Sequence, residues 1–128
     1  MKIFGIGVDI IKNNRIKLSL KNKKFINRIY TKNEIINSRQ TRNKVNYFAK
    51  RFAAKESFSK ALGTGIRLNF NFKDIEILHD KLGKPYYKKT KKINDIIYKK
   101  FNIKNYNLFL SISDEKDYSI SFTIIQAK

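Results

Sequence analysis

The chain has 128 residues, of which 41% are hydrophobic and 13% aromatic, so it can form a hydrophobic core and is not intrinsically disordered. It has no cysteine and one histidine, which excludes disulfides, cysteine zinc sites and multi-histidine sites and leaves carboxylate oxygens to bind Mg²⁺, Mn²⁺ or Ca²⁺. The net charge of +19 favours a polyanionic partner, namely nucleic acid, an acidic protein or a phosphorylated small molecule.

The first segment predicts a β-strand over residues 2–11, because apolar and small residues alternate with a period of two. One face carries Phe4, Ile6, Val8 and Ile10, and the other carries Gly5, Gly7 and Asp9. The glycines leave Asp9 on a face without other side chains, where another part of the molecule can approach the backbone. Asp9 interrupts the apolar run and no small-residue cleavage site follows, so we expect no signal peptide, no membrane span and a cytoplasmic location.

Helical spacing follows over residues 16–30, with Asn13 and Asn14 as expected N-terminal caps. The sequence TKNE at residues 31–34 matches a capping box and predicts that another helical turn begins there. A long helix is predicted over residues 45–62, ending at Gly63.

Glu56 and Lys60 lie in the long helix among small and apolar residues. The simplest explanation of Glu56 and Lys60 is an exposed i, i+4 ion pair worth about 0.2–0.5 kcal/mol. The simplest explanation of Asp9 is a cap or turn residue at the end of the strand. Alternatively, the helix can approach the glycine-relieved strand closely, which would bring the two carboxylates together. They would then repel unless a cation or a shared proton relieved the repulsion. Mg²⁺ commonly binds one or two carboxylates together with water and phosphate oxygens. Lys60 would face the same phosphates.

The C-terminal half predicts further strands and one helix. In order, these are a strand over 69–78, a turn with Gly83 and Pro85, a helix over 93–101, and strands over 106–113 and 118–126. His79 is interpreted as an incidental strand-end residue. The order β-α-α-β-α-β-β predicts an α+β fold, an antiparallel sheet packed with a long central helix, in a single domain over residues 1–128.

Several of these segments together resemble the bacterial holo-acyl-carrier-protein synthases, the small trimeric class of phosphopantetheinyl transferases. The resemblance spans nearly the whole chain: GIGVDI (5–10) with Arg15 and Ile16 following, FAKRFAAKESFSKALGTGI (48–66), FKDIEI (72–77), GKPY (83–86) and LSIS (110–113).

The resemblance implies a transferase that moves the 4′-phosphopantetheine arm of coenzyme A onto a serine of apo-acyl carrier protein, releasing adenosine 3′,5′-bisphosphate, for fatty acid biosynthesis. It implies that Asp9 and Glu56 bind Mg²⁺, which also holds the coenzyme pyrophosphate. Glu56, directly or through a metal-bound water, is then the expected base for the serine, and Lys60 contacts the phosphates and stabilises the leaving group. Asp9, Glu56 and Lys60 are thus the expected catalytic residues.

The family's sites lie between neighbouring subunits of a homotrimer. By analogy, the residues expected to bind the coenzyme are Arg51, Lys55, Lys60 and Gly63, together with Gly83, Lys84 and Pro85 from the adjacent chain. Arg15 occupies the family's position for contacting the acidic carrier protein. Asp114 departs from the pattern, since family members commonly have histidine there, and we expect it to weaken coenzyme binding.

Two other interpretations fit parts of the sequence. A basic α+β domain rich in tyrosine and phenylalanine is also typical of an RNA-binding module, although Asp9 on an open glycine face would hinder such a surface. The second interpretation is a weakened, non-catalytic member of the same family. The presence of Asp9, Glu56 and Lys60 argues against it. Compositional drift toward Lys, Asn and Ile would explain part of the charge without any partner.

Overall fold

The computed structural model describes residues 2–64 and 70–128. Its elements in chain order are β1 (Ile3–Lys12), α1 (Asn13–Ser19), α2 (Lys23–Ile29), α3 (Lys32–Ser38), α4 (Lys44–Leu62), a 3₁₀ turn (Phe72–Asp74), β2 (Ile77–His79), β3 (Pro85–Tyr87), α5 (Lys91–Phe101), β4 (Tyr106–Asp114) and β5 (Tyr118–Ala127). This α+β architecture confirms the predicted fold class, with the antiparallel sheet and long central helix expected.

The main sheet has the strand order β1-β5-β4 and is antiparallel throughout. Helix α4 packs across one face of this sheet and contacts both β1 and β5. The hairpin β2-β3 forms a separate two-stranded sheet. One buried cluster fills the space between α4, α5, the hairpin and the main sheet, and a second lies between α1, α2 and the first half of α4. Helix α4 is therefore common to both cores.

Local signals determine the helix boundaries that the sequence predicted best. At α3, the Thr31 hydroxyl accepts from the Glu34 amide while the Glu34 carboxylate accepts from the Thr31 amide, which confirms the capping box. Helix α4 ends as predicted at Gly63, whose φ of 81° lies in the left-handed region that favours glycine.

The predicted caps of the first helix are wrong. The N-cap of α1 is Lys12, and Asn13 is buried within the first turn. The side-chain amide of Asn13 donates to the carbonyl oxygens of Glu115 and Lys116, and its oxygen accepts from Ser119. Asn13 thus holds the β4–β5 turn against β1 instead of capping α1.

The strand predicted over residues 69–78 is also wrong in extent. Asn69 lies outside the described residues, residues 72–74 form a 3₁₀ turn, and β2 is limited to Ile77–His79. The Asp74 carboxylate accepts from the Asn71 amide at 2.7 Å, and this contact closes the turn. The Lys55 ammonium donates to the carbonyl oxygens of Phe72 and Ile75, so a side chain, and not a neighbouring strand, satisfies these two backbone groups.

None of the helices within residues 2–64 and 70–128 has the length and apolarity that a membrane crossing requires.

Candidate active site

Strand β1 and helix α4 are in direct backbone contact at the two glycines of β1. A Cβ built on Gly5 would lie 1.8 Å from the Ala61 carbonyl oxygen, and one built on Gly7 would lie 1.9 Å from that of Ser57. Any side chain at these positions would therefore force the helix away from the strand. The open face predicted beside Asp9 is the contact surface for α4.

A cluster of buried hydroxyl groups fixes the same contact from the side of β5. The Ser57 hydroxyl lies 2.8 Å from that of Ser121 and 2.7 Å from that of Thr123, and the Tyr87 hydroxyl lies 2.7 Å from Thr123. Ser57 follows Glu56 on α4, while Ser121 pairs with Asp9 across the β1–β5 ladder. These bonds therefore set the position of both carboxylate-bearing segments.

Asp9, Glu56 and Lys60 meet at the edge of this contact, as the sequence predicted. The Lys60 ammonium lies 3.1 Å from Asp9 Oδ1 and also donates to the Val8 carbonyl oxygen at 3.1 Å. Asp9 and Glu56 are partly buried, whereas Lys60 is exposed. Lys60 pairs with Asp9 across the contact, not with Glu56 along the helix, so the ion pair links strand to helix.

The electrostatics of the site disfavour two ionised carboxylates. Burial raises the pKa of Glu56, and the negative charge of Asp9 raises it further, while Lys60 and Arg15 oppose the shift. Burial also raises the pKa of Asp9, against the hydrogen bond from Lys60 and the charges of Lys60 and Arg15. Arg15 on α1 thus acts on the same two carboxyl groups. A cation between them would relieve this strain.

The two carboxylates fit a hard divalent cation whose other coordination positions are filled by water or substrate. Within residues 2–64 and 70–128, no group of three or more His, Cys, Asp or Glu side chains is placed to hold a metal. Two carboxylates are what Mg²⁺ commonly takes from a protein when water and substrate phosphates supply the other ligands. Glu56 forms no hydrogen bond or ion pair with the described residues, so its oxygens are available.

Lys55 does not point toward this site. Its side chain is fully buried, and its ammonium lies 2.8 Å from Glu34 Oε1, 3.0 Å from the Phe72 carbonyl oxygen and 2.5 Å from that of Ile75. These acceptors match the three donors of an ammonium group. Lys55 was predicted to bind the coenzyme, but the structure gives it an internal role, so we leave it out of the proposed site.

Arg51 lies on α4 and is 5% exposed. Its guanidinium carbon lies 3.4 Å from the centre of the Tyr47 ring, and Nη1 donates to the Tyr47 carbonyl oxygen at 3.2 Å. Nη2 lies 3.0 Å from His79 Nδ1. The Nε atom is buried and has no hydrogen-bond partner within the described residues. Two of the five N–H donors of Arg51 are therefore engaged by Tyr47 and His79, and no described residue accepts from the buried Nε.

The other predicted coenzyme residues occupy two separate places. Gly63 ends α4 one turn beyond Lys60. Gly83, Lys84 and Pro85 lie in and beside the turn of the β2-β3 hairpin, which is largely exposed. No hydrogen bond or ion pair between described residues joins that turn to Asp9 or Glu56.

Sequence reasoning missed two long-range partners around α4. Glu34 was recognised only as a capping residue, yet its carboxylate is also the buried partner of Lys55. His79 was interpreted as incidental, yet it contacts Arg51. The one signal available was the placement of a lysine and an arginine on the apolar side of the long helix, since buried cations need partners.

Comparisons with known proteins show the family of this chain. The chain belongs to the 4′-phosphopantetheinyl transferase superfamily, whose model matches residues 5–123. A curated relative in Pelagibacter ubique (strain HTCC1062), named holo-[acyl-carrier-protein] synthase, is 56% identical over 128 residues, and the match covers 100% of both chains.

Solved structures give the same result. The holo-[acyl-carrier-protein] synthase of Neisseria meningitidis superposes with a TM-score of 0.87 at 40% identity, covering 98% of this chain and 99% of that one. A holo-(acyl-carrier-protein) synthase from Bacillus anthracis, solved in complex with CoA (3′,5′-ADP), superposes with a TM-score of 0.82 at 35% identity and covers 98% of each chain.

Proposed function

We propose that this chain transfers the 4′-phosphopantetheine group of coenzyme A to a serine of apo-acyl carrier protein, as a holo-[acyl-carrier-protein] synthase of fatty acid biosynthesis. The observation that carries this proposal is the convergence of Asp9, Glu56 and Lys60 at the β1–α4 contact in a chain 56% identical over its full length to such an enzyme. Residues 1–128 are taken as one transferase domain, and its cytoplasmic location remains a prediction.

In this reaction the serine oxygen forms a bond to the phosphorus next to the pantetheine arm. The bond from that phosphorus to the bridging oxygen breaks, and adenosine 3′,5′-bisphosphate leaves. We assign the serine proton to the Glu56 carboxylate, whose proton affinity is increased by burial and by Asp9. The Lys60 ammonium, fixed 3.1 Å from Asp9, adds positive charge where negative charge develops on the leaving phosphate.

Asp9 and Glu56 are the residues that would hold Mg²⁺. When bound, the ion would neutralise charge on the pyrophosphate and keep the attacking and leaving oxygens in line. For the rest of the coenzyme we propose Arg51, whose Nη1 and Nη2 atoms each keep an N–H beyond the contacts with Tyr47 and His79, and Gly63 at the end of α4.

We propose that the active unit is a homotrimer in which Gly83, Lys84 and Pro85 serve the site of a neighbouring subunit. The lack of any hydrogen bond or ion pair between that turn and Asp9 or Glu56 among the described residues is consistent with this. So is the outer face of the main sheet, where aliphatic and aromatic side chains are exposed: Ile10 61%, Ile6 55%, Val8 50%, Phe109 48% and Phe122 40%. A continuous apolar sheet face of this kind is typical of a surface covered by another subunit.

The trimer is tested by light scattering after size-exclusion chromatography. Val8→Lys places a charge on the sheet face and should give monomers, with loss of transfer. The matched control, Ile36→Lys, changes an exposed aliphatic residue on α3 and should remain trimeric. A monomeric, fully active wild-type protein would contradict the shared site.

The carrier protein would dock on the basic surface around Arg15, which is exposed on α1 next to the carboxylates. Acyl carrier proteins are acidic, so this contact should be salt-sensitive. Arg15→Glu should raise the KM for carrier protein at least tenfold with little change in the KM for coenzyme A. Lys99→Glu, the same charge change on α5, should leave both unchanged, and equal effects of the two variants would argue for net charge alone.

The transfer is tested by a mass spectrum of apo-acyl carrier protein after incubation with this protein, coenzyme A and Mg²⁺. We expect a mass gain of one phosphopantetheine group, abolished by chelator and by Asp9→Asn or Glu56→Gln. Asp95→Asn, which neutralises an exposed carboxylate on α5, is the matched control and should remain active. No gain with intact substrates would refute the proposal.

A further inference from the structure

The contact between Arg51 and His79 determines the protonation state of the imidazole. Nη2 of Arg51 lies 3.0 Å from Nδ1 of His79. A guanidinium group can only donate hydrogen bonds, so Nδ1 must accept. His79 is therefore neutral, and its proton is on Nε2.

This hydrogen bond links helix α4 to the base of the β2-β3 hairpin. His79 is the last residue of β2 and pairs with Pro85, the first residue of β3. The adjacent Asp80 closes the hairpin, since its Oδ1 accepts from the amides of Leu82 and Lys84 at 2.9 Å and 2.8 Å. The position of the Gly83–Pro85 turn is thus tied to Arg51 through His79.

The surroundings of His79 oppose a positive charge. Burial lowers the pKa of His79, the cations Arg51 and Lys50 on α4 lower it further, and Asp80 on the hairpin opposes this. A protonated imidazole would also present an N–H at Nδ1 to the N–H of Arg51 Nη2. Protonation therefore removes the acceptor and adds a like charge at the same point.

We propose that neutral His79 is a positioning residue that holds Arg51 and the Gly83–Pro85 hairpin in place for coenzyme A, and that protonation of His79 releases both and weakens coenzyme binding. This inference depends on the proposed function, because Arg51 and the hairpin are taken as coenzyme contacts. The contact is complete above the His79 pKa, which lies below the ordinary 6.5, and is lost as the pH falls through it.

The first test is NMR, because His79 is the only histidine in the chain and its imidazole ¹⁵N signals can be assigned without ambiguity. At pH 7.5 we expect the pattern of a neutral ring protonated at Nε2. Titration should give a pKa below 6.5, and Arg51→Lys should raise that value or change the tautomer. A ring protonated at Nδ1, or a pKa at or above 6.5, would overturn the proposal.

The second test is the KM for coenzyme A between pH 5 and pH 8 in the wild type and two variants. His79→Asn offers an amide oxygen that can accept from Arg51 but does not titrate, so its KM should stay near the wild-type value at pH 7.5. His79→Leu has no acceptor and should have a raised KM at every pH. The KM for carrier protein should respond equally to pH in all three proteins.

As the pH falls below the pKa of His79, protonation of this residue should raise the wild-type KM for coenzyme A by at most about tenfold per pH unit. This is the limit for one linked proton. The coenzyme phosphates titrate in the same range, and His79→Asn shows their contribution alone. Equal slopes in wild type and His79→Asn would overturn the inference while leaving the transferase intact. If no transfer is detected in the wild type, the proposed function fails, and the NMR result alone decides the Arg51–His79 contact.

Discussion

Replacing Gly7 by alanine tests whether the site depends on the direct contact of β1 with α4. The new methyl carbon would lie 1.9 Å from the Ser57 carbonyl oxygen and 2.7 Å from the Ala61 amide nitrogen. The first distance is about 1.5 Å short of ordinary van der Waals contact. Both neighbours are backbone atoms of a helix, so no side-chain rotation can relieve the clash and α4 must move away from β1.

That displacement should affect stability and activity together. Overpacking of this kind costs about 1–3 kcal/mol, and the backbone obstacle places Gly7→Ala at the upper end. Because Asp9 is on β1 while Glu56 and Lys60 are on α4, the same movement separates the three groups proposed to be catalytic. A misplacement of about 1 Å can lower turnover about 100-fold. We expect both losses, measured by urea unfolding at fixed protein concentration and by the rate of phosphopantetheine transfer.

Ile97→Ala separates the effect of stability from that of geometry. Ile97 is fully buried on α5 and takes no part in the β1–α4 contact, and its truncation should cost about 2–5 kcal/mol. At a temperature where both variants are folded, Ile97→Ala should retain kcat/KM while Gly7→Ala does not. Wild-type stability and activity in Gly7→Ala would refute the close contact, and equal activity loss in both variants would refute the geometric explanation.

Two further predictions concern the charges on α4. Glu56→Gln should abolish transfer in the presence of Mg²⁺. In unfolding experiments without divalent metal, the same variant should raise the free energy of unfolding at pH 7 by on the order of 1 kcal/mol. Because the folded-state pKa of Glu56 lies above 4.5, this gain should appear as the pH rises above 4.5 and vanish in more acidic urea titrations. Lys55→Met should cost about 3–5 kcal/mol in the same unfolding assay, because it leaves the Glu34 carboxylate buried without its cation. Lys60→Met, the same change at a 54% exposed side chain, should cost less than about 1 kcal/mol, and similar losses would contradict the burial argument.

The features predicted correctly from sequence are those with a local cause. The capping box at Thr31 and the helix end at Gly63 each depend on a few neighbouring residues. The alternation in β1 also set the face of Asp9, since a strand has a fixed period of two. Small residues on the opposing helix then made close approach of Asp9 and Glu56 predictable.

The features that were missed depend on contacts between distant parts of the chain. The alternation over residues 69–78 favoured a strand, but the ammonium of Lys55 binds two of its carbonyl oxygens and holds a turn instead. Lys55 itself sits beside Glu56 in a motif associated with phosphate binding, and only the fold reveals that it faces Glu34. Arg51 and His79 are 28 positions apart, and no periodic pattern in the sequence indicates that they are in contact.

The strand order of the main sheet has a consequence for biosynthesis. Within the part of the chain that the structure describes, β1 is an edge strand and pairs only with β5, the last strand, with Ile6 opposite Ile124 and Asp9 opposite Ser121. During translation β1 therefore remains unpaired until β5 has left the ribosome. Closing the long loop between the two strands also costs entropy, so their pairing is expected late in folding. Asp9, among the first residues synthesised, is among the last to be fixed in place. A chain that still lacks β5 therefore lacks the strand that pairs with the Asp9 segment, so we expect no transfer before β5 has been synthesised.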